Sequence, residues 1–214
     1  MTLETTPAAR ARRHGLADLL ARSAVRTPDK TAVVFGELRQ SFAELDALVT
    51  RTAAGFAARG VAKGDRIVLL ARNSHGFAVA YFALARIGAV SVPVNFMLTP
   101  PEVAYVLTHS GAVGVVAGAD LAATADAALA EAGLAADGLK VHAVIGGDAP
   151  GWELFADLGA SDAPCPEVDL DDDDPVQIMY TSGTESRPKG AVMTSRNLLA
   201  QYTTAIVDGG MSAD

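Results

Sequence analysis

Residues 175–195 read Pro175-Val176-Gln177-Ile178-Met179-Tyr180-Thr181-Ser182-Gly183-Thr184-Glu185-Ser186-Arg187-Pro188-Lys189-Gly190-Ala191-Val192-Met193-Thr194-Ser195. An apolar strand runs into hydroxyls, glycines and one lysine, and a second apolar strand follows at once. A loop of this kind can bind an anion. Thr181, Ser182 and Thr184 offer hydroxyl donors, and Gly183 lets backbone amides approach a ligand with no side chain in the way. Lys189 adds a point charge for phosphate oxygens, with Gly190 behind it. The order is not that of the common P-loop, because Gly-x4-Gly-Lys-Ser/Thr is absent, and no Gly-x-Gly-x-x-Gly follows a strand. Ser, Thr, Gly and Pro also form turns wherever they cluster, so residue chemistry alone supports a plain hydroxyl-rich hairpin turn equally well.

Other residue types that do chemistry are dispersed. His14, His75, His109 and His142 show no paired spacing for a metal and no nucleophile partner, and they read as surface or core residues. Cys165 stands between Pro164 and Pro166 with no basic neighbour to lower its thiol pKa, and it reads as incidental. Ten of the 25 carboxylates lie between Asp148 and Asp174, ending in Asp171-Asp172-Asp173-Asp174. Adjacent aspartates repel one another, and the run has neither the alternating ligands nor the central glycine of a calcium loop. It reads as a solvated loop, and no metal ligand set is assigned.

The elements that must position the loop alternate. A helix over Gly15 to Arg26 precedes a short hairpin, Thr31–Phe35 and Leu38–Gln40. Ser41-Phe42-Ala43-Glu44 is a capping box that opens a helix with Leu45, Leu48, Val49, Ala53 and Phe56 inward and Gly60 as its stop. Strand Arg66–Leu70 follows. Then come helix His75–Arg86, strand Ala89–Pro93, helix Pro101–His109, strand Val113–Ala117, helix Leu121–Ala132 and strand Lys140–Ile145. Strand–helix alternation predicts an α/β fold with a mainly parallel sheet flanked by helices. Residues 146–175 form a long acidic loop with one short helix near Trp152–Leu158, where Trp152 packs the loop down. Ser195 is expected to cap a final helix, Arg196–Val207. Residues 1–14 read as a disordered arm.

Composition narrows the class. The chain has 214 residues, half of them hydrophobic and a fifth charged, which is a globular composition. Alanine is abundant and aromatics are 6%, so the core should be helix-rich. A formal charge of -8 and a pI near 4.9 argue against nucleic acid as a partner. One cysteine excludes an internal disulfide. The longest apolar stretch, Phe77 to Val94, is interrupted by Arg86, Gly88 and Pro93, too broken for a membrane span. A cytoplasmic location is expected.

Tyr180-Thr181-Ser182-Gly183-Thr184 followed by Pro188-Lys189-Gly190 resembles the phosphate-binding signature of the AMP-forming acyl-CoA synthetase and adenylate-forming ligase superfamily. Gln40–Leu45, Gly64–Leu69 with Asn73-Ser74, and Ile87–Asn95 resemble further segments of that family in the same order. The resemblance covers the chain from about Gly15, and the signature looks most like bacterial fatty-acid–CoA ligases. Two positions depart: Glu185-Ser186 stands where the family usually has Thr-Gly, and Arg196 where it often has histidine.

The resemblance implies an ATP- and Mg2+-dependent reaction of a carboxylate, a fatty acid by the closest likeness, to an acyl-adenylate, with transfer to coenzyme A. It implies that Thr181, Ser182, Gly183, Thr184, Lys189 and Gly190 hold the ATP phosphates. The family's adenine segment, magnesium and ribose carboxylates, hinge and adenylating lysine come later in its chains, so no residue here is assigned a catalytic role. Residues 15–214 are then expected to be an incomplete N-terminal, AMP-binding domain without the C-terminal domain, inactive in isolation. The alternatives are a non-catalytic nucleotide- or phosphate-binding remnant, or part of an aryl- or amino-acid-activating enzyme. The oligomeric state is not readable.

Overall fold

The computed structural model describes residues 14–181 and 187–210. Helix α1 (Leu16–Arg26) leads to a two-stranded hairpin, β1 (Thr31–Phe35) and β2 (Leu38–Ser41), paired antiparallel. Helix α2 (Phe42–Ala58) opens on the expected capping box: the Glu44 amide donates to the Ser41 hydroxyl at 3.2 Å, and the Ser41 amide donates to the Glu44 carboxylate at 2.8 Å. The alternation then follows, with β3 (Arg66–Leu70), α3 (His75–Arg86), β4 (Val90–Pro93), α4 (Pro100–Ser110), β5 (Gly114–Gly118), α5 (Ala122–Glu131) and β6 (Val141–Ile145). A short strand β7 (Glu153–Leu154) and helix α6 (Phe155–Gly159) follow. The chain ends with β8 (Pro175–Thr181), β9 (Lys189–Thr194) and α7 (Ser195–Gly209).

Seven strands make one sheet in the order β7-β6-β5-β3-β4-β8-β9. All neighbours are parallel except β8 and β9, which close one edge as an antiparallel hairpin. Strand β3 shows why the layers form. Successive side chains point to opposite faces, so Ile67 and Leu69 enter one core and Val68 and Leu70 the other, and all four are buried. The first core holds Val49 and Phe56 of α2 and Val79 and Leu84 of α3. The second holds Val106 and Leu107 of α4 and Ala125 and Leu129 of α5. Helices cover both faces, the arrangement that all-parallel strands require.

Two expectations change. The acidic loop contains a strand as well as a helix: β7 pairs with β6 in the register Ala143↔Glu153 and Val144↔Leu154. A two-residue strand has no periodicity to read, and an ion pair between Arg59 and Glu153 holds it in place. Ser195 does not cap the last helix. Thr194 has the extended backbone of a cap (φ −97, ψ 166), and its hydroxyl accepts from the Asn197 amide at 3.2 Å. Ser195 is buried, and its hydroxyl accepts from the Leu16 amide at 3.1 Å, tying α7 to α1.

The aspartate run faces solvent as expected, with Asp171 and Asp173 exposed and Asp172 and Asp174 half-buried, and it is also tied at several points. Asp172 accepts from the His14 amide (3.1 Å) and, through its carbonyl, from the Arg196 amide (2.9 Å). Asp173 pairs with Arg196 at 2.6 Å, and Asp174 with Lys63 at 2.5 Å. His14 is thus attached; the rest of the N-terminal arm lies outside the described residues. Trp152 packs as expected, with its indole N–H donating to Asp126 at 3.1 Å and its ring centroid 3.5 Å from that of His142.

The helices sit close enough that one glycine is obligatory. A Cβ built on Gly55 of α2 would stand 2.3 Å from the Leu158 carbonyl oxygen of α6. In an open helix Gly→Ala gains about 1 kcal/mol. Here the overlap with backbone should cost more, by about 1–3 kcal/mol net. Gly55→Ala is therefore expected to lower the thermal midpoint by several degrees; an unchanged or higher midpoint in a calorimetric scan would contradict this packing.

Candidate functional site at the hairpin neck

Strand β8 ends at Thr181 and β9 begins at Lys189, and these two residues are ladder partners at the neck of the hairpin. Both are exposed. The ladder therefore brings one predicted hydroxyl and the predicted lysine to opposite sides of one opening. Gly190 pairs with Tyr180, and a Cβ there would stand 3.1 Å from the Tyr180 ring and 2.9 Å from Ile178. The absent side chain makes room for the Tyr180 ring. Ser182, Gly183 and Thr184 lie outside the described residues, as do Glu185 and Ser186.

The neck borders a hollow of about 680 Å³ at the carboxyl ends of β3, β4 and β8, lined by Asn73, Phe77, Asn95, Glu102, Tyr180 and Thr181 among others. Open α/β sheets bind ligands outside the carboxyl ends of their strands, and the volume is that of an ordinary small-molecule site. The Arg72 guanidinium stands 4.2 Å from the Phe96 ring centroid and pairs with Asp120 at 2.8 Å. Glu102 accepts from the Thr99 amide (2.8 Å) and hydroxyl (2.7 Å), which holds its carboxyl below the usual range and stabilises the start of α4.

Two residues that sequence reading assigned no role in the site lie against the loop's arms. His109 Nδ1 is 2.8 Å from the Tyr180 hydroxyl, and the Tyr105 hydroxyl donates to the Pro188 carbonyl at 3.1 Å. Burial, followed by the neighbouring Tyr105, pushes the Tyr180 hydroxyl pKa up, so the group stays protonated at neutral pH. The i, i+4 spacing of Tyr105 and His109 was the available signal, since it stacks the two rings on one helix face. A second hollow of about 650 Å³ lies between α2, α3 and α6, away from the hairpin; its lining includes Leu48, Thr52, His75, Val79 and Phe155. Cys165 is half-buried against the core of α2 and α3, and burial raises its thiol pKa, in keeping with an unreactive residue.

Among the described residues no group of three or more His, Cys, Asp or Glu side chains could hold a metal ion, and no helix is long and apolar enough to cross a membrane.

A mainly parallel, helix-covered sheet closed at one edge by an antiparallel hairpin, with Thr181 and Lys189 at the hairpin's neck, defines an α/β protein of the doubly covered class. The chain belongs to the AMP-binding enzyme family, whose pattern it matches over residues 20–213. It is 39% identical over 162 residues to the long-chain-fatty-acid–CoA ligase FadD13 of Mycobacterium tuberculosis, covering 76% of this chain and 31% of that one. It is 36% identical over 203 residues to a feruloyl-CoA synthase of Amycolatopsis sp, covering 95% and 38%. Among solved structures it is similar to Mycobacterium smegmatis MbtA in its apo form, with a TM-score of 0.86 and 29% identity over 100% of this chain and 41% of that one. The chain spans about a third of the length of the curated relatives it matches.

The bound aspartates make acid sensitivity testable. Burial works to raise the Asp174 carboxyl pKa, but hydrogen bonds and charge from Lys63 and the Asp171 amide together bring it below its usual value. A depressed folded-state pKa stabilises the fold above the unfolded value, near ~3.9, and that contribution is lost as pH falls through the folded value. Asp174→Asn is expected to lower the thermal midpoint at pH 7, with the gap to wild type closing below about pH 4. A gap constant from pH 7 to pH 2 would refute the ion-pair assignment.

Proposed function

We propose that this chain is the N-terminal part of an ATP-dependent, AMP-forming acyl-CoA ligase, and that Thr181 through Gly190 hold the ATP phosphates. The observation that carries the reading is the ladder pair Thr181↔Lys189 at the mouth of a hollow at the strands' carboxyl ends. Family membership supplies the reaction class. A carboxylate oxygen attacks the α-phosphorus of ATP, the bond to the β-phosphate oxygen breaks, and pyrophosphate leaves with that electron pair. The coenzyme A thiolate then attacks the acyl carbon, and AMP leaves with the electrons of the acyl–oxygen bond.

In this scheme the chain's own residues position and neutralise. Lys189 Nζ balances charge on the departing pyrophosphate, and the hydroxyls of Thr181, Ser182 and Thr184 with the amide at Gly183 bind its oxygens. Gly190 keeps the neck narrow by letting Tyr180 lie across it. Mg2+ would enter with ATP, shielding the phosphates; no residue of this chain is assigned to it. Glu185, where the family usually has threonine, brings a carboxylate that would repel a triphosphate beside it unless a cation offset it.

The fatty-acid reading of the substrate rests on the signature's likeness and on FadD13. An aryl acid is the second reading, favoured because similarity to the feruloyl-CoA synthase runs over 95% of the chain. The cytoplasm is the proposed location.

Titration with inorganic triphosphate in a calorimeter tests the site. Lys189→Ala is expected to weaken binding about tenfold, the loss of one charge-assisted contact of about 1.5 kcal/mol. Unchanged affinity would remove Lys189 from the phosphate site. The purified 214-residue chain, supplied with ATP, a fatty acid and coenzyme A, is expected to form no acyl-CoA; measurable product would show that the chemistry needs nothing beyond it.

A further inference from the structure

The β8–β9 ladder ends at Thr181↔Lys189, so it holds the Tyr180 backbone through Gly190 but fixes neither the Tyr180 ring nor Pro188. Both arms are gripped from outside, by one face of one helix. On the entry arm, the Tyr180 hydroxyl lies 2.8 Å from His109 Nδ1. On the exit arm, the Pro188 carbonyl accepts from the Tyr105 hydroxyl at 3.1 Å. Tyr105 and His109 are one turn apart on α4 and stack with centroids 5.1 Å apart and planes at 27°. The Tyr180 ring meets both edge-on, at 6.4 Å and 84° to Tyr105 and at 5.7 Å and 78° to His109. Edge-to-face contacts at these distances are favourable and fix ring orientation. Arg187, also on the exit arm, places its guanidinium 5.7 Å from the Tyr105 ring centroid.

The grip is anchored in the rigid part of the fold. Val103, Val106 and Leu107 of α4 are buried in the second core, so Tyr105 and His109 stand on a helix with little freedom to move. Gly190 completes the arrangement, since a Cβ there would overlap Ile178 at 2.9 Å and press on the Tyr180 ring at 3.1 Å. Helix α4 therefore orients the Tyr180 ring and holds Pro188, which the ladder does not reach.

We infer that Tyr105 and His109 are positioning residues, which set the separation and orientation of the two arms of the phosphate loop without themselves touching the phosphates. The inference rests on the phosphate reading of residues 181–190. Holding the flanks of a binding loop in one geometry strengthens binding, because less freedom is lost when the ligand binds. The grip also couples the arms: a change that frees one frees the geometry that the other depends on.

The test uses the 214-residue chain with inorganic triphosphate as the probe. Tyr105→Phe and His109→Phe each remove one polar contact and keep the stacked rings. Ser110→Ala is the control, since it removes a hydroxyl bonded to the Val106 carbonyl on the same helix, away from the hairpin. Each grip variant is expected to weaken triphosphate binding about three- to tenfold, the double variant by less than the product of the two, and Ser110→Ala not at all. Thermal midpoints show whether stability alone explains the change: the grip variants should lose affinity out of proportion to any shift shared with Ser110→Ala. Unchanged affinity in both grip variants, with Lys189→Ala still weakened, overturns the grip and leaves the phosphate site standing. If Lys189→Ala also binds as wild type does, the phosphate reading fails and takes the grip with it.

Discussion

The hairpin that holds the candidate site joins the sheet along a narrow seam. Strand β8 pairs with β4 through the single register match Ser91↔Gln177. Both residues are polar and buried. The Ser91 hydroxyl donates to the Val176 carbonyl at 3.2 Å, and Gln177 Oε1 accepts from the Tyr81 hydroxyl of α3 at 2.6 Å. A buried polar group left unpaired costs about 1–3 kcal/mol, so these contacts hold only one alignment of β8. Burial, with Tyr202 of α7 beside it, pushes the Tyr81 hydroxyl pKa far up, keeping it a donor. This alignment sets the register in which β8 and β9 extend the sheet.

Around the seam the chain adds ties that reach it from distant segments. Ser195 binds α1, Arg196 and Lys63 bind the aspartates that lead into β8, and Tyr105 and His109 bind the loop's arms. Each is modest in free energy, and exposed pairs such as Arg196–Asp173 contribute little alone. Together they fix where one edge hairpin sits against a parallel sheet. The layers depend on close approach: a Cβ on Gly55 of α2, Gly76 of α3 or Gly114 of β5 would stand within 2.3, 2.6 and 2.8 Å of Leu158, Ile145 and Ile67 respectively.

Much of this was legible in the residues. Apolar strands between amphipathic helices gave the α/β class, because buried parallel strands need covering on both faces. The Ser41–Glu44 capping box and the breaks at Arg86 and Gly88 placed their elements to within a residue or two. What escaped was decided by contacts distant in sequence. The strand β7 is too short for any period and depends on β6 and Arg59. Thr194, one residue earlier than expected, became the cap because Ser195 was drawn into the interface with α1. The aspartate run is solvent-facing as read, but its ties to Lys63, Arg196 and His14 were not legible, because those partners stand elsewhere in the chain. Of the six predicted phosphate-binding residues, the structure places Thr181, Lys189 and Gly190 at the neck.

The proposed phosphate site is the hairpin loop and not the apolar hollow between α2, α3 and α6. Backbone amide shifts of the 15N-labelled chain, followed during titration with ATP, distinguish the two. Amides at 181–190 and on the facing turn of α4 around Tyr105 and His109 are expected to move. Perturbation centred instead on Gly146, Gly147 and Asp148, beside the second hollow, would contradict this assignment.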